Sequence, residues 1–344
     1  MRDITNVEIV ILLKELSAFE NKRLENIYDI DESAFRFRIN KKDLIVSLNP
    51  KAIYITKYEF PSKESPSFFV SLLRKNLKGK FIRKIHQKGL DRILIFDFDD
   101  FQLIFELFSK GNVVLTDKKN VTIVTYRQEE WKDRKIKPKE PYFFPKSTKI
   151  EISEINAEKI FSLQNENYPI INVLSSNINI GSFYMEKILE KAKIDKNKTK
   201  ITEEEAEKIA NTINEFNKLL KGEKSDFELK PCFSSDYSFL EIEGGTPTIS
   251  LSDAIDSILT PILQKNKKEE EKTQKIKAKL EIQEKLLQEL LKNEKEAREK
   301  ADFIYSHISE IEFLLKNENK MGEIKIGSEL IKWKKDGKKL ILEA

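Results

Sequence analysis

A long helical seam in the C-terminal part of the sequence constrains the fold more than any other feature. Between residues 276 and 315, twelve positions follow one another in alternating steps of four and three, and ten of them are apolar. The positions are Ile276, Leu280, Gln283, Leu287, Leu290, Glu294, Ala297, Ala301, Ile304, Ile308, Ile311 and Leu315. This spacing is typical of a coiled coil and predicts a helical arm roughly 60 Å long. The apolar stripe needs a second helix, so we expect pairing with another chain or with sequence beyond Ala344.

The whole sequence is long enough for two or three folded domains. Of its 344 residues, 35% are charged and 39% hydrophobic, and 22 Phe and 9 Tyr can fill a core. This balance indicates a folded, charge-rich protein and not a disordered one. We place the boundaries at 1–148 for an N-terminal domain, 149–262 for a helical region and return segment, 263–320 for the coiled-coil helix, and 321–344 for the start of a domain at the arm tip.

Several kinds of site lack the residues that they need. Cys232 is the single cysteine, and His86 and His307 are the two histidines, so neither a disulfide framework nor a Cys/His zinc site is expected. The sequence contains no glycine-rich nucleotide loop. No apolar run approaches the roughly 20 residues that span a bilayer, and no signal peptide is apparent. The prediction is a cytoplasmic protein without cofactor or metal.

Alternating apolar residues predict two groups of β-strands, each preceded by a helix. The strands are placed at 34–40, 43–49 and 52–58, and then at 80–87, 91–98, 101–109, 112–116 and 121–126. The first helix has Asn6 as its predicted N-cap. The second has Ser65 as N-cap, Pro66 at its first position and Gly79 at its end. This order predicts an α+β fold with a β-sandwich and flanking helices, ending near residues 137–145.

The segment from about 165 to 220 is predicted to be helical. Gly181 lies in a tight turn before an amphipathic helix that runs to residue 194, and Thr202 is the predicted N-cap of another helix. A helix, a glycine hairpin and a helix form a helix-hairpin-helix module, whose turn offers backbone N–H groups to phosphate. Because a single glycine marks the hairpin, a plain helical pair stays an alternative.

A basic stripe leads into an Asp-Arg pair. The stripe contains one acid, Asp91, and eight basic residues: Arg74, Lys75, Lys78, Lys80, Arg83, Lys84, Lys88 and Arg92. Such a stripe is suited to binding phosphate groups. The alternative is that its side chains are simply solvated on the surface of a Lys/Glu-rich protein. Neighbouring strand residues point to opposite faces, so Asp91 and Arg92 can meet one ligand only if a turn or bulge at Gly89 presents them together.

Several stretches, in this order, resemble the NFACT family of ribosome quality-control proteins. They are NVEIVILLKEL, RLENIYDI, PSFFVSLLRKNLKGKFIRKIHQKGLDRI, LIFELFSKGNVVLTD and NIGSFYMEKILEKAKID, followed by the coiled-coil helix. The resemblance implies that residues 1–148 form a domain like the N-terminal domain of formamidopyrimidine-type DNA glycosylases. A helix-hairpin-helix module and one half of an antiparallel coiled-coil arm follow. The family's returning helix and C-terminal RNA-binding domain have no counterpart here, so we expect an N-terminal fragment or half of a split protein.

The resemblance also implies a function. Family members bind large ribosomal subunits that carry a stalled peptidyl-tRNA, and they recruit tRNA for untemplated addition of residues to the nascent chain. Alanine is the chief residue added in prokaryotic members, so alanine tRNA is the implied partner. The ribosome makes the peptide bonds, which implies a binding factor and not an enzyme. Without a returning helix, a coiled-coil homodimer is one way to cover the seam.

The resemblance and the charge pattern together give a set of candidate site residues. The family's Asp-Arg motif falls on Asp91 and Arg92, and Glu8 stands where the family usually has Asp in the first helix. The resemblance implies tRNA contact for these positions. The stripe adds four candidates for phosphate contact, with surface solvation as the alternative: Arg74, Lys75, Lys84 and Lys88.

Two other functions stay open from the sequence. One is a DNA-binding or repair module of glycosylase-like fold. The chain begins Met-Arg-Asp where those enzymes have a proline nucleophile, and the cysteines of their zinc finger are missing. The other is a coiled-coil scaffold or adhesin-like binding protein, which the lack of a signal peptide disfavours.

Overall fold

The chain divides into two units of structure, Met1–Lys268 and Glu269–Ala344. The computed structural model describes residues 1–60, 65–131, 134–316, 321–326, 329–336 and 339–343. Across these ranges, no helix is both long enough and apolar enough to cross a bilayer. The architecture is α+β with antiparallel sheets, as the strand and helix patterns predict.

The first sheet of the first unit has four antiparallel strands in chain order. They are β1 (Leu24–Asp29), β2 (Ala34–Ile39), β3 (Lys42–Leu48) and β4 (Lys51–Thr56). The alternation of apolar residues predicts the last three of these strands and misses β1. A register shift between Leu24 and Asn26 interrupts the pairing of β1 with β2, so its sequence lacks the regular alternation of a strand.

The second sheet is a five-stranded meander, and the sequence predicts its five strands with four of them longer than observed. Its strands are β5 (Lys84–Gln87), β6 (Ile93–Asp97), β7 (Phe101–Glu106), β8 (Asn112–Asp117) and β9 (Thr122–Thr125). Aromatic side chains join this sheet to the first one: Phe37 of β2 meets Phe105 of β7 edge to face, with ring centres 5.5 Å apart. One apolar core therefore lies between two sheets, the sandwich that the sequence predicts. A hairpin of β10 (Glu129–Trp131) and β11 (Arg134–Ile136) follows.

Two helices flank the sheets, and both begin at a cap other than the predicted one. The first, α1 (Asn6–Leu16), is capped by Thr5 and not by Asn6, because Thr5 forms a reciprocal capping box with Glu8. The second, α2 (Phe68–Leu77), is capped by Ser67 and not by Ser65. The Ser67 hydroxyl accepts a hydrogen bond from the Val70 amide at 3.2 Å while donating to Asp29 at 2.7 Å.

Four helices make up most of the region after the sandwich. They are α3 (Ala157–Leu163), α4 (Ile170–Asn177), α5 (Ser182–Ala192) and α6 (Glu203–Lys221). The predicted N-cap of α6 is confirmed, since Thr202 and Glu205 form a capping box. Helix α4, a turn ending at Gly181 and helix α5 have the predicted order of a helix-hairpin-helix unit. Three short strands then pair: β12 (Cys232–Phe233), β13 (Tyr237–Ser238) and β14 (Thr246–Pro247).

A buried polar network ties the start of the longest helix, α7 (Leu251–Ser306), to the first sheet. The Asp256 carboxylate is fully buried and accepts hydrogen bonds from the hydroxyls of Thr56 and Thr260, both at 2.6 Å. The Thr260 hydroxyl lies 3.0 Å from the hydroxyl of Tyr54. Buried polar groups that satisfy one another in this way fix a single register between two elements.

The second unit combines the remainder of α7 with a short helix and a sheet. The predicted seam is not one unbroken helix, because α7 ends at Ser306 and α8 (Ile308–Lys316) follows. The Ser306 hydroxyl donates to the Asp302 carbonyl at 2.7 Å, a bond that tends to bend helices. Leu314 of α8 packs with Trp333 of a three-stranded sheet made of β15 (Met321–Ile326), β16 (Glu329–Asp336) and β17 (Lys339–Glu343).

Candidate nucleic-acid interface

A cleft of about 550 Å³ opens in the first unit where four stretches of the chain meet. Its walls are residues 2–6, 91–93, 145–149 and 181–183, together with Phe108, Ser175 and Asn179. The cleft therefore joins the start of α1, the turn before β6, the segment after the sandwich and the start of α5. These stretches are far apart in sequence, so folding alone brings them together.

Asp91 and Arg92 both line this cleft, and they lie in a turn and not in a strand. Gly89 has a φ of +52°, the left-handed conformation that closes the turn. The Asp91 amide donates to the Lys88 carbonyl at 3.0 Å, and β6 begins only at Ile93. A strand would have sent the two side chains to opposite faces. The turn instead presents both to one space.

Asp91 is half-buried beside polar side chains of the neighbouring elements. Burial raises the pKa of its carboxyl above the usual range, and hydrogen bonds from Asn179 and Ser147 and the charge of Lys88 act in the opposite direction. The Gln87 amide group donates to the Asp91 carbonyl at 2.8 Å and to the Asn6 carbonyl at 2.9 Å. The turn is thus fixed against the first residue of α1.

Arg92 is held loosely and keeps its donors available. Its side chain is 35% exposed, and within the described part of the chain its one ion pair is with Asp3 at 3.9 Å. Asp3 is itself bound by Lys51, whose ammonium lies 2.9 Å from the same carboxylate. Burial would raise the pKa of Asp3, but the hydrogen bonds and charge of Lys51, with the charge of Arg92, outweigh it and lower that pKa. An incoming anion therefore meets little competition for the Arg92 guanidinium.

Lys149 adds a second cation to the lining of the cleft. Its ammonium donates to the Ser175 carbonyl at 2.9 Å. Burial lowers the pKa of Lys149, and the positive charge of Arg92 lowers it further. An anion bound beside these two cations would favour the charged form of Lys149.

The proximity of these two cations gives a testable result in solution. Replacing Arg92 by alanine should raise the pKa of Lys149, because the like charge is removed while its burial stays. The measurement is an NMR titration of the Lys149 side-chain methylene next to nitrogen, assigned with a Lys149→Arg variant. Arg83→Ala, which removes a charge outside the cleft, should leave that pKa in place. An unchanged Lys149 pKa in Arg92→Ala would show that the two cations do not face each other.

Glu8 is placed behind the cleft and does not line it. Its side chain is fully buried, and both carboxylate oxygens accept hydrogen bonds from the guanidinium of Arg2. The Tyr184 hydroxyl donates to the same carboxylate at 2.8 Å. Direct contact between Glu8 and RNA, as the resemblance implies, does not fit this burial. Its carboxylate instead holds Arg2, whose side chain does line the cleft.

The remaining four candidates lie outside the cleft walls. Arg74 is half-buried and donates to the Ile27 carbonyl at 2.6 Å, so its guanidinium is partly committed to the fold. Lys75 and Lys84 are exposed. Lys88 is exposed next to the cleft, where its charge acts on Asp91.

The basic stripe is less positive than its sequence suggests. Asp99 accepts two hydrogen bonds from Arg83, at 2.7 and 3.0 Å, and Asp100 lies 2.8 Å from the Lys80 ammonium. Both acids lie in the turn between β6 and β7, which follows the basic stripe in the sequence. Two of the eight basic residues of the stripe are therefore neutralised by neighbouring acids.

Other cleft residues escaped the sequence analysis because their role depends on distant neighbours. They are Arg2, Asp3, Lys146, Ser147, Lys149 and Asn179. Two sequence patterns could have indicated some of these residues. One is the Thr-x-x-Glu capping box that places Glu8 near Arg2, and the other is the Lys-Ser-Thr-Lys run that follows the Pro-rich stretch.

Gly181 closes the hairpin at the cleft wall. Its φ of 91° and ψ of 148° belong to a backbone region that residues other than glycine rarely adopt, and an added Cβ would meet Thr5 at 3.5 Å.

Gly181→Ala should lower the free energy of unfolding by about 1–3 kcal/mol. Gly89→Ala, where no atom lies within 4 Å, should cost only about 1 kcal/mol. Chemical denaturation of both variants tests the difference, and equal losses would contradict it.

Within the described residues, no three His, Cys, Asp or Glu side chains are grouped so that they could hold a metal ion. The chemistry on the cleft walls is that of cations, carboxylates and amides. Such a surface can neutralise phosphates and hydrogen-bond to base or sugar groups.

Comparison with solved structures places the fold among known proteins. The fibrinogen binding protein from Staphylococcus aureus superposes with a TM-score of 0.60 at 18% identity, covering 73% of this chain and 97% of that one. The N-terminal part of the fibronectin/fibrinogen-binding protein from Streptococcus suis gives 0.54 at 20% identity, covering 75% of this chain and all of that one. At these identities the likeness concerns the fold alone.

Sequence comparison is more specific. The archaeal Rqc2 homolog aRqcH of Methanocaldococcus jannaschii is 32% identical in an alignment of 348 positions that covers 91% of this chain and 51% of that protein. The human ribosome quality control complex subunit NEMF is 33% identical in an alignment of 148 positions that covers 40% of this chain and 14% of that protein. The chain thus spans about half, or less, of the length of these relatives. The family model for the NFACT N-terminal and middle domains matches residues 5–332, and the chain therefore belongs to the NFACT family.

Proposed function

We propose that the chain is a ribosome-associated quality-control factor that binds tRNA through the cleft of Asp91 and Arg92. The observation that carries the proposal is that these two side chains, which the family resemblance marks for tRNA contact, share one cleft with Arg2 and Lys149. Two relatives of the chain are named as subunits of a ribosome quality control complex, which supports the ribosome as the place of action.

The chemistry of the cleft fits a tRNA backbone with one or two exposed groups. Arg92 and Lys149 can each neutralise a phosphate, and RNA binding should therefore weaken steeply as salt rises. The Asp91 carboxylate can accept a hydrogen bond from a base amino group or a ribose 2′-hydroxyl. Arg2 also lines the cleft, but its guanidinium is already paired with the Glu8 carboxylate and therefore adds little free positive charge.

In this proposal the protein positions RNA and leaves peptide-bond formation to the ribosome. It binds large subunits obstructed by peptidyl-tRNA and recruits tRNA for untemplated tailing of the stalled chain. Alanine tRNA is the expected partner from the family resemblance. The chain would act as a binding factor and not as an enzyme.

The coiled-coil seam is the proposed second contact region of the chain. Ile276, Leu280 and Leu287 are 66%, 52% and 57% exposed, so a second helix is required to cover them. That helix comes from a further part of the protein or from a second copy of the chain. Sedimentation equilibrium over a concentration series distinguishes the two, since self-pairing produces dimers at high concentration.

Cosedimentation with large ribosomal subunits tests the proposed function. Subunits with and without a blocked peptidyl-tRNA are pelleted with the chain over a series of salt concentrations. We expect preferential binding to the obstructed subunit, and weaker binding of Asp91→Ala and Arg92→Ala. Equal binding to both kinds of subunit, or no binding at low salt, would refute the proposal for these residues.

A further inference from the structure

We propose that Trp131, Phe143 and Phe144 form a platform on which unpaired RNA bases stack beside the Asp91–Arg92 cleft. The inference rests on the proposed RNA-binding function and adds the class of RNA that the site prefers: single-stranded loops or ends. Bases in such segments are free to leave their own stack and lie against aromatic rings.

The platform begins with two exposed aromatic rings that share one arginine. Phe143 and Trp131 are 61% and 43% exposed. Isolated exposed aromatics are ordinary on protein surfaces, but these are connected. The guanidinium carbon of Arg134 lies 5.6 Å from the centre of the Trp131 ring, and its Nε donates to the Phe143 carbonyl at 2.6 Å. One buried side chain therefore fixes both positions.

The support under Phe143 is a buried network that leaves the Phe143 ring uncovered. The side chains of Arg134 and Glu106 are 9% and 2% exposed, and they form an ion pair. The Tyr142 hydroxyl donates to the same Glu106 carboxylate at 2.7 Å. The backbone around Phe143 is thus held in place before any ligand arrives, which lowers the entropy lost on binding.

The platform continues into the cleft. The ring of Phe144 meets that of Tyr142 edge to face at 5.1 Å, and the Lys88 ammonium lies 5.1 Å from the centre of the Phe144 ring. The charge of Lys88 reaches Asp91, and the next two residues along the chain, Pro145 and Lys146, line the cleft. Cations thus stand beside the aromatic rings where the phosphates between stacked bases would pass. This combination favours single-stranded RNA over a protein partner.

Binding of two RNAs by the whole chain tests the platform. One RNA is a hairpin with an unpaired loop, and the other is a blunt duplex with the same number of phosphates; both carry a fluorescent label. Phe143→Ala should weaken hairpin binding by about tenfold and leave duplex binding unchanged, because one stacking contact is lost. Phe143→Trp should retain affinity. Tyr168→Ala, which removes a ring that is 57% exposed elsewhere in the unit, is the matched control and should change neither affinity.

The outcomes separate this inference from the proposed function. If Arg92→Ala weakens RNA binding while Phe143→Ala has no effect, the platform is refuted and the surface would belong to a protein partner. Equal weakening of hairpin and duplex by Phe143→Ala would also refute stacking. If the parent chain binds neither RNA, the proposed function itself fails. Selective loss of hairpin binding supports the platform.

Discussion

Replacing Glu8 by alanine should lower the free energy of unfolding by about 3–5 kcal/mol, the loss usual when one partner of a buried ion pair is removed. The Glu8 side chain is 0% exposed, and the Arg2 side chain that it binds is 19% exposed. Without the carboxylate, the guanidinium stays in a largely apolar setting under the rings of Phe183 and Tyr237. Asp236, whose carboxylate lies 3.4 Å from Arg2, compensates in part.

Three further bonds are lost with the Glu8 carboxylate, two from Thr5 and one from Tyr184. The Thr5 amide donates to the Glu8 carboxylate at 2.7 Å, and without it this N–H group at the start of α1 has lost its acceptor. The hydroxyl of the fully buried Tyr184 loses its short bond of 2.8 Å and keeps the Ser238 hydroxyl at 3.5 Å and the Phe239 amide at 3.2 Å. A buried donor that loses its acceptor costs about 1–3 kcal/mol, so the expected loss exceeds that of a capping residue alone.

A second capping box in the same chain provides the matched control. Glu205 has the same position in α6 as Glu8 has in α1, but its side chain is 21% exposed and its ion pair with Lys198 is at the surface. Glu205→Ala should therefore cost only about 1 kcal/mol. Urea unfolding followed by circular dichroism measures both variants. A loss below about 1 kcal/mol for Glu8→Ala would show that the buried pair does not stabilise the fold.

A double-mutant cycle identifies the cause of the loss. Arg2→Ala with Glu8→Ala should cost less than the sum of the two single variants, because the double variant leaves no unpaired buried charge. Additive losses would instead indicate that the two side chains act independently.

The comparison between sequence and structure shows which features local patterns can predict. The capping box of α6 depends on Thr202 and Glu205, three residues apart, and the sequence is sufficient to predict it. The same kind of pattern predicted Asn6 as the N-cap of α1 and Ser65 as the N-cap of α2, and both predictions were wrong because several residues that can cap a helix stand side by side there. At α1 the Thr5–Glu8 capping box is as local as the one in α6, and it decides in favour of Thr5. At α2 a tertiary bond decides in favour of Ser67, because its partner Asp29 lies 38 residues away.

The cleft shows what local patterns cannot predict. The Asp-Arg pair stood out in the sequence, and the need for a turn at Gly89 followed from strand geometry. Asn179, by contrast, comes from a segment with no chemical signature of its own, and the Lys-Ser-Thr-Lys run that contains Lys149 does not reveal which residues it will meet. Their place in the cleft depends on how the helical region packs against the sandwich. The ion pair of Arg83 with Asp99 was equally hidden from local patterns, because a β-hairpin brings together two residues that are 16 positions apart in the sequence.

Replacing Arg92 by alanine should reduce tRNA affinity roughly tenfold to a hundredfold, since a hydrogen bond to a charged group is worth about 1.5–3 kcal/mol. The side chain is 35% exposed and its one ion pair in the described residues is 3.9 Å long. Its removal should therefore change the free energy of unfolding by no more than about 0.5 kcal/mol. Lost affinity without lost stability is the expected signature.

Two variants and a salt series make the Arg92 result specific. Arg83→Ala removes an exposed arginine, next to the start of β5, that Asp99 already neutralises, and it should leave tRNA affinity within about twofold of the parent. Arg92→Lys keeps the charge but not the planar fork, so it should recover only part of the loss. The slope of log affinity against log salt should fall by about one for Arg92→Ala, because one phosphate contact is removed. Equal tRNA affinity for parent and Arg92→Ala would remove this guanidinium from the site, whereas a loss with an unchanged salt slope would mean that Arg92 contacts a base and not a phosphate.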